Sequence, residues 1–480
     1  MKKSLLFNVF FLVFVNFLVK PFWVFGIDRT VQNQLGETEY GLYFAILNFT
    51  YLFQIFLDFG LQNYNARHIA SNEKQIGELL PNIILFKLIL FVVYLVICIA
   101  VAVPLNYINH RFFFIILANQ FLLSFIIYLR SNISAHQHFI TDSLLSVLDK
   151  LLMIIFCAII IWGNQGFDLS IINFVLAQFA AYLITFIVAL LLSFNLITKI
   201  NFQFSTLFLK QIFRESLPYA SIYFLMTIYY RIDGVMLERM KTSYEAGIYA
   251  QGYRIMESVN NIGYLMSIIL LPIFANYLSK KIDIKIILMP ALRISLILIV
   301  GVLGVFYFQA EEIIGILYHA DVAYSSKVFS WLVLNFIPIS LLYVIGTLLT
   351  ADEQFRIMLP TLIFAVVLNI VLNYFMIQNI GAIGAAKATF ITQLFMLLVY
   401  GFACIVKYSI KLNLKTSLRV IFFIGFAYGI MHFLLIHYPE QNLKNLFFRS
   451  AFYIIAVMII AVSLGIMDKQ ILKLNIKPFN

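Results

Sequence analysis

Charged residues are scarce in this 480-residue sequence. Asp, Glu, Lys and Arg together make up 11% of it, whereas 63% of the residues are hydrophobic. Soluble globular proteins carry about 25% charged and about 45–50% apolar residues. So little charge does not cover the surface of a soluble fold, and so much apolar sequence does not stay disordered. The composition therefore excludes a soluble enzyme and a disordered chain, and it indicates a membrane protein.

The sequence also lacks the patterns of a disulfide framework, a metal centre or a nucleotide-binding enzyme. Its three cysteines, Cys98, Cys157 and Cys404, lie inside apolar runs at unrelated spacings, as small buried hydrophobic residues do. His136 and His138 are spaced i,i+2, which suits a helical metal site poorly. No phosphate-binding loop, dinucleotide-binding motif, H-E-x-x-H or G-x-S-x-G motif occurs. We therefore expect no metal, no cofactor and no enzymatic activity.

Long polar segments are missing as well. No connection between apolar runs exceeds about twenty residues, so there is no room for a soluble domain. The runs are continuous and lack the alternation of a membrane β-barrel strand. Since about 20 apolar residues span a bilayer as a helix, the sequence predicts an all-α polytopic membrane protein with about fourteen transmembrane helices. The predicted spans are 5–33, 41–62, 81–106, 111–130, 144–163, 171–196, 215–237, 247–273, 285–308, 327–350, 356–378, 383–406, 417–437 and 444–467.

The first span begins with Met1-Lys2-Lys3 and an apolar run, which is also the pattern of a signal peptide. No A-x-A-like cleavage site follows, and Lys20 and Pro21 are succeeded by a further apolar stretch at 22–27. We therefore predict that this segment is retained as a first helix with a kink at the proline.

Lysine and arginine are concentrated in alternate loops. With the N-terminus in the cytoplasm, nineteen of the 33 lie in inner loops, six lie in outer loops and eight lie within spans. This asymmetry follows the positive-inside rule and predicts that both termini are cytoplasmic. It also explains the net charge of +11, because these basic residues set the topology and contact lipid headgroups. We therefore expect no nucleic-acid binding.

The chain repeats itself in three segments that keep their order. The matching segments are 39–43 (EYGLY) with 245–249 (EAGIY), Ala135 and Phe139 with Ala351 and Phe355, and Asn164, Gly166 and Gln178 with Asn379, Gly381 and Gln393. This order predicts that spans 1–6 and 7–12 are parallel repeats, which face each other around a cavity in transporters built this way. The predicted organisation is an N-terminal lobe at 1–198, a C-terminal lobe at 199–408 and two appended helices at 409–480.

Two spans carry polar stripes. A charge that faces lipid costs several kcal/mol, so polar and ionisable residues within spans usually line a water-filled path. The stripes occupy one helical face each, and Asn48 in span 2 has the position that Arg254 has in span 8. They consist of Asn48, Tyr51, Gln54, Asp58, Gln62 and Asn65 on span 2 and of Gln251, Arg254, Glu257, Ser258 and Asn261 on span 8.

Cations and carboxylates of other spans are predicted to reach the same interior. The cations are Lys20, Arg29, Arg231, Arg254 and Lys387, and the carboxylates, which are candidates for ion coupling, are Asp28, Asp58, Asp233 and Glu257. Arg254 and Glu257 are spaced i,i+3, so a local ion pair is the alternative for them. The remaining intramembrane cations Lys87, Lys150, Arg293 and Arg449 are assigned to snorkelling toward lipid headgroups.

Several motifs resemble those of Wzx-type polysaccharide flippases of the multidrug/oligosaccharidyl-lipid/polysaccharide (MOP) exporter superfamily. The motifs are 35–43 (LGETEYGLY), 58–61 (DFGL) and 67–70 (RHIA) in the first half, and 231–233 (RID), 245–249 (EAGIY), 253–254 (YR), 381–386 (GAIGAA) and 392–393 (TQ) in the second. The resemblance covers residues 5–406 and includes the count of fourteen helices.

The resemblance implies a MATE-like two-lobe architecture and a flippase. Such a protein moves an undecaprenyl-diphosphate-linked oligosaccharide, a repeat unit of O-antigen, capsule or exopolysaccharide, from the cytoplasmic to the periplasmic leaflet by alternating access. It further implies coupling to H⁺ or Na⁺, a monomer, and polysaccharide polymerase and glycosyltransferases as partners. By position, Asp28 and Arg29 match the charged end of the family's first helix, and Arg231 and Arg254 match its second-lobe charges.

Two other classes stay open at this point. A sibling MOP transporter would be a drug/cation antiporter, which several interior cations disfavour, or a lipid II flippase. A membrane-embedded polysaccharide polymerase or ligase would need a large periplasmic loop with catalytic charges. The longest predicted outer loop, at 309–326, is short, and its Glu311, Glu312 and His319 are interpreted as solvated.

The charge asymmetry predicts the topology. A reporter fused after Lys411 should report the cytoplasm, and one fused near Asp321 should report the periplasm, because the intervening spans alternate in direction. Paired alkaline phosphatase and fluorescent-protein fusions at both positions would measure this. The reverse pattern at either position would show that a predicted helix is misplaced.

Overall fold

The fold is described from a computed structural model of the chain. It describes residues 15–16, 18–62, 65, 69, 76–163, 168–196, 206–410 and 414–467, with the side chains of 78 and 206–219 excepted. The start of the first predicted span at 5–14, Arg67 and His68 of the RHIA motif, and Asn164 and Gly166 of the repeat lie outside these residues. The described residues form helices and no strand, so the predicted all-α class is confirmed.

The chain divides into two compact units, Met1–Gly247 and Ile248–Asn480. Unit 1 contains a π-helical turn (Trp23–Asp28), α1 (Arg29–Leu52), α2 (Ile55–Asp58), α3 (Ile76–Ala102), a 3₁₀ turn (Tyr107–Asn109), α4 (Phe112–Ala135), α5 (Phe139–Trp162), α6 (Ile171–Phe194) and α7 (Thr206–Met240). Unit 2 contains most of α8 (Ser243–Ser279), α9 (Lys285–Val302) with a π-helical turn (Leu303–Tyr307), α10 (Ala310–Leu317), α11 (Val322–Leu334), α12 (Phe336–Ala351), α13 (Phe355–Lys407), α14 (Leu414–His437) and α15 (Leu443–Ser463).

The helices account for a multi-pass membrane protein. Ten helices among the described residues are long and apolar enough to cross a membrane, and each of the fourteen predicted spans contains described helical residues. Two long helices contain a predicted break between spans. Gly36 (φ 79) interrupts α1, and Ile380 with Gly381 (φ 57) interrupts α13. Glycine adopts these positive φ angles without strain, so each marks where one span ends and the next begins.

The second span is not the continuous helix that the sequence predicts. α1 ends at Leu52, α2 ends at Asp58, and Phe59 (φ 43) and Gly60 (φ 81) are left-handed. The prediction of one helix over 41–62 is therefore wrong. The break leaves the Leu57 carbonyl free to accept a hydrogen bond from the Lys87 ammonium of α3 at 2.9 Å, a tertiary contact that a local hydropathy pattern does not encode.

The glycines of the repeated EYGLY and EAGIY motifs pack close to the partner motif within unit 1. A Cβ added to Gly41 would lie 1.8 Å from the Ser243 carbonyl oxygen, and one added to Gly247 would lie 2.0 Å from that of Glu37. Gln32 Nε2 also donates to the Gly247 carbonyl at 2.9 Å. Only glycine lets two helix backbones approach this closely, so helix packing explains why both copies keep it.

A buried ion pair connects α10 to α15 in unit 2. Arg449 pairs with Glu312, and their side chains are 2% and 5% exposed. Arg449 Nη1 also donates to the Tyr438 carbonyl at 3.1 Å. The interpretations of Arg449 as a snorkelling residue and of Glu312 as solvated are therefore wrong, because each charge has its partner inside the protein.

Removing one charge of this pair should destabilise unit 2. Glu312→Gln leaves the Arg449 guanidinium buried with a weaker partner, and breaking a buried pair costs about 3–5 kcal/mol. We expect a lower Tm in detergent for Glu312→Gln than for Glu311→Gln, since Glu311 is exposed and one residue away. Equal Tm values for the two variants would contradict the structural role of the pair.

Candidate functional site

A buried carboxylate lies at the end of the π-helical turn in unit 1. Asp28 is 3% exposed, and both of its carboxylate oxygens accept the hydroxyl hydrogen bond of Tyr40, at 2.9 and 2.8 Å. A kink at Gly36 lies between these two residues in the chain. Asp28 is thus a hydrogen-bonded interior acid, whereas the neighbouring Arg29 is half-buried.

The structure brings together Arg231 of α7 with two polar-stripe residues of α1. The Arg231 guanidinium lies 4.6 Å from the centre of the Tyr51 ring, and its Nη1 lies 3.4 Å from Asn48 Oδ1. Asn48 Nδ2 donates to the Phe44 carbonyl at 2.8 Å, which turns its oxygen toward the arginine. Gly234 allows the approach, since a Cβ there would lie 2.8 Å from Asn48 Nδ2. An aromatic face and an amide oxygen therefore hold a half-buried guanidinium within the membrane helices.

A second charged group of unit 1 lies at the break after α2. The Lys87 ammonium donates to the Leu57 carbonyl, Asp58 Oδ1 and Ser124 Oγ, each at 2.9 Å. Lys87 is 1% exposed and Asp58 is 28% exposed. All three donors of the ammonium are used, so Lys87 holds the broken helix in place.

Asp58 borders a cavity of about 160 Å³. Tyr223 of α7 donates to Gln54 Oε1 across it at 3.3 Å. The cavity is lined by Gln54, Ile55, Asp58, Gly60, Gln62, Ser124, Ile127, Ala220 and Tyr223. Its volume suits a few water molecules, and Gln54, Asp58 and Gln62 of span 2 line it. Asn65 instead donates to Asn132 Oδ1 at 2.9 Å.

Lys87 and Lys150 are not the snorkelling residues that the sequence predicts. α3 begins at Ile76 and α5 at Phe139, five residues before the predicted span starts at 81 and 144. Both lysines consequently lie near the middle of their helices. The Lys150 ammonium lies 5.5 Å from the Trp23 ring and 5.4 Å from the Tyr182 ring. Sequence analysis missed both residues, although an earlier helix start would have revealed them.

Unit 2 contains the polar stripe of α8. Arg254 Nη1 and Glu257 Oε2 are 3.1 Å apart, with side chains 15% and 36% exposed, so the local i,i+3 pair is formed. Ser258 donates to the Arg254 carbonyl at 3.2 Å. Gln251 is buried and Asn261 is exposed. The polar stripe is therefore buried at its N-terminal end and exposed at its C-terminal end.

Three further predicted residues have distinct surroundings. Lys387 of α13 lies 4.9 Å from the centre of the Trp331 ring in unit 2. In unit 1, Asp233 is 3% exposed and Lys20 is exposed. The convergence of the unit 1 cations with Arg254 and Lys387 on one substrate remains a prediction. No group of three or more His, Cys, Asp and Glu side chains that could hold a metal occurs in the part of the chain that the structure describes.

A polar cluster anchors the end of α7. Tyr107 donates to Glu238 Oε2 at 2.8 Å, Arg239 pairs with the same carboxylate, and Arg239 Nη1 donates to the Leu105 carbonyl at 2.6 Å. Burial, reinforced by the Glu238 charge, raises the pKa of Tyr107, and the hydrogen bond to Glu238 raises the pKa of Arg239. Both groups keep their protons at physiological pH, so Tyr107 and Arg239 act as structural partners of Glu238.

The sequence matches the family model described as polysaccharide biosynthesis protein over residues 5–278, which is more than half of the chain. The chain belongs to this family. The resemblance to polysaccharide flippases noted from the sequence motifs is thus confirmed at the level of the family. No curated protein matches the sequence.

Solved structures of MOP-superfamily transporters share the fold. The chain is similar to the lipid II flippase MurJ in an inward closed conformation, with 14% identity, a TM-score of 0.75 and coverage of 95% of this chain and 98% of that one. It is also similar to a multidrug resistance MATE family transporter of the MOP superfamily. The inward-facing conformation has 15% identity and a TM-score of 0.62, and the match covers 82% of this chain and 93% of that one. The outward-facing conformation has 14% identity and a TM-score of 0.53, and the match covers 84% of this chain and 93% of that one. The predicted MATE-like architecture is confirmed.

The pair formed by Arg254 and Glu257 makes the role of the arginine testable. If Arg254 binds an anionic substrate, Arg254→Ala should lower transport about tenfold or more, because a lost charge-assisted hydrogen bond costs about 1.5–3 kcal/mol. Arg254→Lys should restore part of it. Surface polysaccharide in cells would be measured, with the exposed Arg111→Ala as the control for charge loss.

The double variant Arg254→Ala/Glu257→Ala separates the two roles. A substrate-binding arginine predicts that removing Glu257 as well does not rescue transport. Full transport in the double variant, with a defect in each single variant, would reduce Arg254 to a structural partner of Glu257.

Proposed function

We propose that this protein is a flippase that moves an undecaprenyl-diphosphate-linked oligosaccharide across the bacterial inner membrane by alternating access. The oligosaccharide would be a repeat unit of O-antigen, capsule or exopolysaccharide, delivered to the periplasmic leaflet. Membership of the polysaccharide biosynthesis family supports the sugar part of the substrate, and the MOP fold supports transport. We infer transport without catalysis, with glycosyltransferases acting before the flippase and a polysaccharide polymerase acting after it.

The placement of guanidinium groups on polar faces of membrane helices carries the proposal. Arg231 lies against Tyr51 and Asn48, and Arg254 is partly exposed beside Glu257. A diphosphate brings two or more negative charges into a low-dielectric interior, where unlike charges attract far more strongly than in water. Arginine binds phosphate oxygens in a bidentate manner and keeps its charge there. These cations therefore suit a diphosphate-linked lipid better than a cationic drug.

The repeated motifs support a two-lobe organisation for the transport cycle. We assign residues 1–198 and 199–408 to lobes that rock against each other, and 409–480 to two appended helices. Both termini would lie in the cytoplasm, as the distribution of Lys and Arg indicates. A monomer suffices, since each chain carries both lobes.

Coupling to H⁺ or Na⁺ is proposed for one of four carboxylates. Asp28 accepts a hydrogen bond from Tyr40, Asp58 pairs with Lys87, and Glu257 pairs with Arg254; the fourth, Asp233, is almost fully buried. A carboxylate that binds the coupling ion must exchange its present partner for that ion as access alternates. Of the four, Asp58 borders the described cavity, which supports it as the first candidate for ion coupling.

A lipid II flippase is the second candidate, and the similarity of fold to MurJ over 95% of the chain favours it. A membrane polymerase or ligase is disfavoured by the segment at 309–326. There α10 and the start of α11 are folded, and Glu312 is used in the ion pair with Arg449. This segment therefore offers no long loop for a catalytic site.

Deletion of the gene followed by leaflet-resolved analysis of lipid-linked oligosaccharide tests the proposal. We expect the oligosaccharide to accumulate in the cytoplasmic leaflet, because its diphosphate and sugars do not cross the bilayer unaided. Normal translocation with unpolymerised repeats outside would favour a polymerase. Trapped lipid II with normal oligosaccharide transfer would favour the second candidate.

The same assay tests ion coupling when it is run over a range of pH and sodium concentration. The amide variants Asp28→Asn, Asp58→Asn, Asp233→Asn and Glu257→Gln are compared with wild type. An altered ion dependence identifies the coupling carboxylate. An unchanged dependence in all four variants excludes these residues from coupling.

A further inference from the structure

Lys150 lies at the middle of a membrane helix. It is the twelfth residue of the 24-residue α5, so at 1.5 Å per residue it is about 16–18 Å from either helix end. A lysine side chain does not bridge that distance to the headgroups. A cation at this depth is expensive unless it faces protein or a water-filled interior, and such residues usually mark a substrate path.

Two aromatic rings flank the Lys150 ammonium. Trp23, in the π-helical turn before α1, lies 5.5 Å away, and Tyr182 of α6 lies 5.4 Å away. The Trp23 ring is itself stacked on Phe174 at 6.0 Å with an interplanar angle of 4°. The π-helical turn and this stacking fix the position of the indole, so the rings form a preorganised aromatic site around the cation.

The oxygen contacts of Lys150 are long. Its Nζ lies 3.4 Å from Asp149 Oδ2 and 3.4 Å from the Tyr182 hydroxyl, beyond the usual range for N–H···O hydrogen bonds. Asp149 is the adjacent residue, and adjacent side chains do not face each other on a helix. The ammonium is therefore only loosely restrained by the carboxylate.

Lys87 provides a comparison within the same unit. It makes three contacts of 2.9 Å and is 1% exposed, whereas the side chain of Lys150 is 22% exposed. One intramembrane lysine thus has all its donors used inside the protein. The other lies between two aromatic rings, with only long oxygen contacts and a 3.6 Å contact to Met153 Sδ.

We propose that Lys150 is an anion-binding residue that contacts a phosphate of the transported lipid. The ammonium would move from Asp149 to a phosphate oxygen, and Trp23 and Tyr182 would exclude water from the contact and lie against the attached sugar. The chemistry points to a phosphate or diphosphate ester. Its identification as the lipid diphosphate rests on the proposed flippase function, but the anion site does not.

Chemical protection of the wild-type protein tests the anion site independently of transport. Amine acetylation of purified protein is followed by mass spectrometry with and without inorganic diphosphate. We expect Lys150 to react, diphosphate to protect it, and Lys87 to stay unreactive. A Lys150 that does not react, or that diphosphate does not protect, would overturn the proposal whatever the protein transports.

Variants connect the site to the lipid. Binding of undecaprenyl diphosphate in nanodiscs should weaken about tenfold or more in Lys150→Met, recover partly in Lys150→Arg, and stay unchanged in Lys444→Met, which removes an exposed lysine. Lipid binding by Lys150→Met within about twofold of wild type would overturn the proposal. Lipid binding restored to the wild-type level in the double variant Asp149→Asn/Lys150→Met would overturn it as well. Failure of wild type to bind the lipid, with diphosphate protection intact, would contradict the flippase function and leave the anion site standing.

Discussion

The cost of placing a charge in a low-dielectric membrane governs this structure. An ionised side chain in a transmembrane helix is stable only where the protein supplies a partner or where water reaches it. Because only 11% of its residues are charged, the chain has few charges within its helices, and each of them can have its own partner. Where each charge lies, and how completely it is satisfied, therefore separates structural groups from groups that are available to a ligand.

Two kinds of intramembrane charge emerge from that constraint. Lys87 with Asp58, and Arg449 with Glu312, are held by short contacts and serve packing, one at a helix break and the other between α10 and α15. Arg231 and Lys150 instead lie against aromatic rings and remain partly exposed. An aromatic face stabilises a cation without neutralising it, so these positions can still attract an anion.

The all-α class and the multi-pass membrane organisation could be predicted from sequence because apolar length is a property of local sequence. The break after Leu52, the true starts of α3 and α5, and the pair of Arg449 with Glu312 could not. The break depends on Lys87, a residue about thirty positions away in the chain, whose ammonium bonds the Leu57 carbonyl. A prediction from hydropathy also leaves out polar residues at the start of a helix. Lys87 and Lys150 were for this reason predicted to lie near the membrane surface.

The predicted site was a set of residues on helical faces, and the structure gives part of that set a geometry. Asn48 meets Arg231, Gln54 and Asp58 border one cavity, and Arg254 meets Glu257. Helical periodicity places residues on a face, but it does not identify the partner across a helix interface. The side-chain partners that belong to a neighbouring helix were therefore identified only in the structure.

The central claim is that intramembrane cations of this MOP-fold protein serve a diphosphate-linked lipid. Reconstitution into proteoliposomes tests it most directly, by comparing the rate at which an undecaprenyl-diphosphate-linked oligosaccharide and an uncharged undecaprenol-linked sugar change leaflets. The account predicts protein-dependent movement of the diphosphate-linked lipid and little of the uncharged one. Equal movement of both lipids, or movement of neither, would contradict it.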